Sequence, residues 1–220
     1  MDFINQYYSL LPDLKNTFLS LVPALSYFVS VKVYNYFHRG KKKPIHENII
    51  SSSKNMISST PANIFLAYPL FRYFSHIEGV YLSNILLGIF IIDTMEYFYH
   101  YFLHRIPILY NKIHNVHHKP VPMCPETSFT NHDGEIILTS PSILLVYVFS
   151  ILSFEEYIIV TSMSFIATVS DHTVTSKKKF HYIHHHVNKN KNLQQPFFTY
   201  WDHIFKTYHE ETEWKIPFYP

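Results

Sequence analysis

Three groups of histidine occur at helical spacings, and the fold has to reconcile them: His100-x3-His104, His114-x2-His117-His118 and His181-x2-His184-His185. Residues three and four apart share a face of an α-helix, so each group can present two or three imidazoles along one stripe. One such stripe is commonly a surface face or a satisfied core. Three in one chain, with His132 and His172 between them, require a shared purpose. The simplest is a histidine-rich site for two metal ions.

The rest of the chain is apolar in a way that suits a bilayer. Charged residues make up 15% of the 220 residues, against roughly 25% in a soluble domain. Aromatic residues reach 18%, and Tyr and Trp favour membrane interfaces. A formal net charge of +2 gives no case for a nucleic-acid partner. The single Cys124 excludes an intrachain disulfide framework and fits a reducing compartment. Asp2 and the lack of a basic leader argue against a cleavable signal peptide, so a membrane segment is expected to insert itself.

Segments 17–37 and 79–99 are long enough to cross, whereas 61–75, holding Pro69 and Arg72, is short. Segment 136–169 is broken by Ser153-Phe154-Glu155-Glu156 and reads as a hairpin turning at Glu155-Glu156. Residues 38–60, with Arg39, Lys41, Lys42, Lys43 and a Ser/Asn run, read as an exposed irregular loop. The basic stretches 39–54, 105–119 and 177–215 belong on one side, which the positive-inside rule makes cytoplasmic. The expected fold is an all-α integral membrane protein with four or so membrane-embedded helices and a cytoplasmic histidine-rich helical cap. Residues 1–78 would form the N-terminal membrane part with its basic loop, and 79–220 the catalytic domain.

The candidate metal ligands are His100, His104, His114, His117, His118, His172, His181, His184 and His185. That many imidazoles suit two octahedral-type ions with open positions, and imidazole suits iron or zinc. Structural zinc would recruit more Cys, and the HExxH pattern of metalloproteases is absent. An oxygen-activating pair of irons is the best match. His38, His46, His76, His203 and His209 fall outside the spacings, His186 is a neighbour of the third group, and His132 is a ligand, a partner to one, or a loop residue beside substrate. Asp93 and Glu96 precede His100 by seven and four residues and can face it. A carboxylate there would accept the second N–H of a ligating imidazole, and Asp202 and Asn188 offer similar groups. Trp201 and Tyr208 are expected to anchor the C-terminal part on the membrane surface or pack it against the metal helices.

At these residues the chain resembles the fatty acid hydroxylase / sterol desaturase superfamily. The resemblance runs from Asp93-x3-Tyr97-x2-His100-x3-His104-Arg105 through Tyr110-x3-His114-x2-His117-His118-Lys119 and Thr127-Ser-Phe-x2-His132. It resumes at Val169-Ser-Asp-His172 and His181-x2-His184-His185, and ends at Trp201-Asp202-x2-Phe205-x-Thr207-Tyr208. It implies a multi-pass enzyme of the endoplasmic reticulum membrane, with its catalytic side cytoplasmic, two Fe ions as cofactor and O2 as co-substrate. Two electrons would come from cytochrome b5 and its reductase, or an equivalent donor, and the lipid substrate from the bilayer. Val169-Ser-Asp-His172 looks closest to the sterol carbon-5 desaturases, so desaturation or hydroxylation of a sterol comes first, and a fatty acid or sphingolipid hydroxylase second. The family's Arg after the first His is Tyr101 here, its Gly before Thr207 is Lys206, and its Asn-Tyr-Gly is Asn190-Lys191-Asn192. Two readings of another class stay open: a zinc-dependent membrane hydrolase with Glu96 or Glu126 as base, and a catalytically inactive family member.

Overall fold

The computed structural model describes residues 11–37, 46–120, 123–133, 135, 151–172, 180–193 and 197–209, and among them the regular elements are all helical. Helix α1 (Leu14–Phe37) starts at Asp13, whose carboxylate accepts the Asn16 N–H at 2.8 Å, satisfying a donor that the first turn leaves open. Its inner stripe is small and polar apart from one ring: Ser20, Pro23, Ala24, Tyr27 and Ser30. Its outer stripe, Leu14, Phe18, Leu21, Leu25, Val29 and Val33, is apolar and exposed. A soluble helix reverses that arrangement, so the outer face is suited to lipid.

Helix α2 (His46–Ala62), a π turn (Asn63–Ala67) and α3 (Tyr68–Phe74) form one rod that runs back along α1. Here the expected irregular loop over 38–60 is corrected from His46 onward; residues 38–45 lie outside the described region. The Ser/Asn run is helical because its polar side chains have partners inside the protein. Buried Ser52 bonds the Tyr27 hydroxyl at 2.9 Å and receives the Phe129 N–H at 3.1 Å, while Asn55 Nδ2 donates to Phe129 O at 2.7 Å. These contacts offset the weak helix propensity of Ser and Asn. In the π turn, Asn63 Oδ1 accepts from the Tyr157 hydroxyl at 3.1 Å, and its amide reaches Ser20 O at 3.4 Å.

Helix α4 (Leu82–Arg105) carries the first histidines at its C-terminal end. It is reached through Gly79, at φ +90°, a backbone conformation that L side chains rarely adopt. A short α5 (Pro107–Lys112) follows directly. Helix α6 (Phe154–Asp171) opens with a capping box: Glu156 N donates to Ser153 Oγ at 3.2 Å, and Ser153 N to Glu156 Oε2 at 2.8 Å. Glu155 and Glu156, the expected hairpin tip, therefore lie in the first turn of α6, and the preceding arm, 136–150, lies outside the described residues. Glu156 is fully buried and also accepts the Tyr81 N–H at 2.6 Å, tying the start of α4 to the start of α6. At Gly88 the two helices approach so closely that a Cβ would meet Leu152 Cδ1 at 3.0 Å.

Helices α1, α4 and α6 thus run parallel and end together, with the α2–α3 rod antiparallel alongside. Phe71, Ile89, Ile92, Leu152, Tyr157 and Val160 form the core at one end, and Tyr27, Met56, Phe165 and Val169 the core nearer the histidines. Two described helices, α1 and α4, are long and apolar enough to cross a membrane, fewer than the expected four or so. Short helices α7 (Phe180–His186) and α8 (Tyr200–Ile204) cover the end where the histidines collect.

Candidate metal centre

Each histidine is placed by an element end. The last turns of α4 present His100 and His104, and the turn after α5 supplies His114, His117 and His118. His172 is the C-cap of α6, and α7 carries His181, His184 and His185. The nine imidazoles form two groups: His100, His104, His114, His118 and His184, and His117, His172, His181 and His185. The expectation of one stripe per group is refined in one respect. Histidines four apart stay together while the residue adjacent to the second of them points elsewhere, so His114 and His118 join the first group and His117 crosses to the second. Likewise His181 and His185 join the second group and His184 the first. The groups adjoin, with the His118 and His185 ring centroids 4.4 Å apart.

The tautomers follow from the outward-facing nitrogens. His100 Nδ1 lies 2.8 Å from Leu193 O, His172 Nδ1 2.8 Å from Thr168 O, and His184 Nδ1 2.9 Å from Lys191 O. A carbonyl only accepts, so each Nδ1 carries the proton and each Nε2 turns a lone pair inward. In the first group His100 Nε2 sits 3.1 Å from His114 Nε2 and 3.3 Å from His104 Nε2. In the second, His181 Nε2 lies 3.1 Å from His172 Nε2 and 2.9 Å from His185 Nε2. His184 Nε2 is buried with no hydrogen-bond partner. Converging lone pairs at this spacing repel unless a cation lies among them. The spacing suits neighbouring donors around an ion at about 2.0–2.1 Å from each nitrogen. The donor set therefore fits a metal ion in each group.

Burial holds these rings neutral. His117 is pushed down to about 4 and His172 to about 3, in each case chiefly by desolvation. His114, His181, His184 and His185 fall well below the ordinary histidine value, from burial first and neighbouring imidazoles second. Neutral imidazole is the ligating form.

The carboxylates are arranged differently from the expectation. Asp93 faces away from the imidazoles: its Oδ1 accepts the Phe197 N–H at 2.8 Å and fixes the approach to α8. Glu96 lines a cavity beside the histidines but bonds none of them. The carboxylate on an imidazole is Glu135, with Oε1 2.7 Å from His114 Nδ1. Burial, then the charge of Glu96, raises Glu135 to about 8; a cation on His114 opposes that shift. Sequence reasoning missed Glu135, although its place three residues after His132 is a local signal that could have marked it. His132 itself is exposed and in neither group. Asp202 acts one step removed from a ring: it accepts the Leu193 N–H at 2.9 Å and the Thr207 hydroxyl at 2.6 Å, and Leu193 O receives His100. Asn188 is exposed and caps the Asn190 N–H. Trp201 packs onto α4, its Nε1 donating to Thr94 Oγ1 at 3.0 Å and its ring stacking on Tyr97, while Tyr208 stacks on His203. Glu126, the other candidate base, accepts from Asn35 Nδ2 at 2.7 Å, away from both groups.

Members of both groups border a cavity of about 130 Å³, His100 and His114 from the first and His117, His172 and His181 from the second. Ile92, Phe129, Tyr157 and Phe165 form its apolar wall, and Thr161, Ser164 and Thr168 of α6 a polar one. Such a space is smaller than the roughly 300–1,000 Å³ that encloses a drug-sized ligand, so it takes part of a lipid, not the whole.

The fatty acid hydroxylase family model matches residues 85–207, the span that holds every histidine of the two groups. The sphingolipid C4-hydroxylase sur2 of Schizosaccharomyces pombe is 32% identical over 154 residues, covering 64% of this chain and 48% of that protein. Sphinganine C4-monooxygenase 2 of Arabidopsis thaliana is 26% identical over 223 residues, 86% of each chain. The very-long-chain aldehyde decarbonylase GL1-9 of Oryza sativa subsp. indica is 25% identical over 56% of this chain and 53% of its own length. The match thus spans about half the length of the S. pombe and rice relatives and most of the Arabidopsis protein. No solved structure matches the chain.

Proposed function

This chain belongs to the fatty acid hydroxylase family, and we propose that it is a membrane-bound dimetal oxidoreductase that hydroxylates a long-chain sphingoid lipid. The observation that carries the reading is the pair of buried imidazole groups, with inward lone pairs, bordering one cavity. An all-nitrogen donor set supports iron over calcium or magnesium. The first group would hold one ion through His100, His104, His114, His118 and His184, and the second through His117, His172, His181 and His185. When bound, the metal pair supplies the activation of O2 and the oxidation of a C–H bond. The overall change is R–H + O2 + 2 electrons + 2 H⁺ → R–OH + H2O, with the electrons delivered by a separate donor of the cytochrome b5 type at the cytoplasmic face of the endoplasmic reticulum.

The protein's share is positioning. The carbonyls of Leu193, Thr168 and Lys191 and the carboxylate of Glu135 orient the rings. Ile92, Phe129 and Phe165 exclude water from the cavity where the reacting carbon would sit. Sphingoid substrates are favoured because two of the relatives above are named for them. The sterol expectation rested on Val169-Ser-Asp-His172, a stretch whose histidine serves the second group and carries no mark of a substrate. For the same reason desaturation yields to hydroxylation.

Purified protein is expected to hold about two metal ions and to form hydroxylated sphingoid base from O2 and a reductant. His117→Ala and His184→Ala, one from each group, should abolish product and lower metal content. Glu135→Gln should cost about 10–100-fold in metal affinity or activity. Unchanged turnover in His117→Ala would end the reading. Bound zinc with O2-independent hydrolysis of lipid would replace it with the hydrolase alternative.

A further inference from the structure

Two polar groups on α4 reach the cavity without a partner. Glu96 lines it and, among the described residues, makes no hydrogen bond or ion pair. Tyr99 lines it three residues later, on the same helix face, and its buried hydroxyl has no hydrogen-bond partner. A half-buried carboxylate turned into a cavity without a partner is costly, and so is a buried phenol with nothing to bond. Neither group takes part in holding the imidazoles. Glu135 lines the same cavity, and among the described lining residues there is no Lys or Arg. The space therefore offers, at Glu96, a carboxylate that a cationic head group can pair with, whatever charge is held among the imidazoles. It also offers a hydroxyl that can donate to, or accept from, a second polar group.

The geometry points to Glu96 and Tyr99 as the head-group cradle for a long-chain amino alcohol. The carboxylate would take the substrate's ammonium as a charge-assisted pair, and the phenol a hydroxyl beside it. A cavity of about 130 Å³ takes such a head and its first carbons and brings them against both histidine groups. A sterol offers one hydroxyl and no cation, and a free fatty acid offers the wrong charge. An N-acylated sphingoid lipid keeps the hydroxyls but loses the ammonium. The cradle thus selects the free base over its amide. This rests on the reading of the cavity as the substrate site, and it deepens that reading by naming the group that is recognised.

Equilibrium binding tests it without relying on turnover. Detergent-solubilised, metal-loaded protein would be titrated with sphinganine and N-acetylsphinganine, and metal content measured on the same samples. Sphinganine should bind the native protein about tenfold or more tightly than the amide. Glu96→Gln should erase the preference for the amine with metal content unchanged. Tyr99→Phe should weaken amine and amide alike. Equal binding of amine and amide by the native protein overturns the cradle, as does a preference retained in Glu96→Gln, or a loss of metal from that variant. Binding with the stated preference but no O2-dependent hydroxylation would overturn the proposed activity and leave the cradle standing.

Discussion

Asn192 and Lys206 hold φ angles of 56° and 57°, the left-handed region, and both stand where the resembled family carries glycine. They answer the strain differently. Asn tolerates this conformation, and the fully buried Asn192 uses its amide to stitch the end of the chain together. It donates to Phe180 O and His209 O at 3.2 Å and accepts the His209 N–H at 2.7 Å. Lys206 is exposed, and among the described residues its side chain makes no hydrogen bond; its backbone accepts from Lys191 Nζ at 2.7 Å and donates to His203 O at 3.3 Å. A non-glycine residue there costs roughly 1–2 kcal/mol, part of which glycine returns as unfolded-state freedom. Lys206→Gly should therefore stabilise by about 0.5–1 kcal/mol, read as a melting temperature about 1–4 °C higher in detergent. An unchanged or lower melting temperature would show that the strain is relaxed elsewhere.

At the scale of elements, the joint between α4 and α6 governs where the histidines end up. Both helices start at Glu156, through the Tyr81 and Ser153 N–H groups, and pack closely at Gly88. They then deliver His100 and His172 at their far ends. Their register is set at one end of the bundle and read at the other. Glu156→Ala would leave the Tyr81 and Ser153 N–H groups without this acceptor, and the loss at buried Ser153 costs about 1–3 kcal/mol. It should lower the melting temperature and also weaken metal retention, although Glu156 lies far along the helices from any imidazole. Intact metal content at a reduced melting temperature would separate the joint from the site. The rod of α2, the π turn and α3 supports the same assembly from outside, through Ser52 on Tyr27 and Asn63 on Tyr157.

For the whole molecule, the exposed apolar stripes of α1 and α4 are consistent with membrane association, and the histidines collect at one end of the bundle. The placement of Lys119 and Asn190 at that end, and of Glu78 beside the start of α6, gives a test of orientation. In a Cys124→Ser background, single cysteines at Lys119 and Asn190 should be labelled from the same side of a sealed membrane. A cysteine at Glu78 should be labelled from the other. On the basic bias, the histidine side is expected to be the one labelled from the cytoplasm. Labelling of positions 119 and 190 from opposite sides would contradict the bundle.

Eight of the nine histidines were legible from their spacings, because helical periodicity puts i and i+4 on one face and leaves few other uses for so many imidazoles; His172 stood alone between the groups. The two helices long and apolar enough to cross a membrane were legible from the length of their apolar runs. How the nine divide into five and four depended on tertiary structure, since adjacent histidines point apart and only the meeting of four elements decides which partners each finds. The same holds for α2, whose Ser and Asn residues read as loop until buried partners on α1 and around Phe129 satisfy them. It holds above all for the carboxylates. Asp93 and Glu96 had the right spacing to reach His100, yet spacing along one helix says nothing about what another segment brings. Glu135 took the imidazole and the Phe197 N–H took Asp93. Glu96 was left facing the cavity, where it bears on substrate instead of metal.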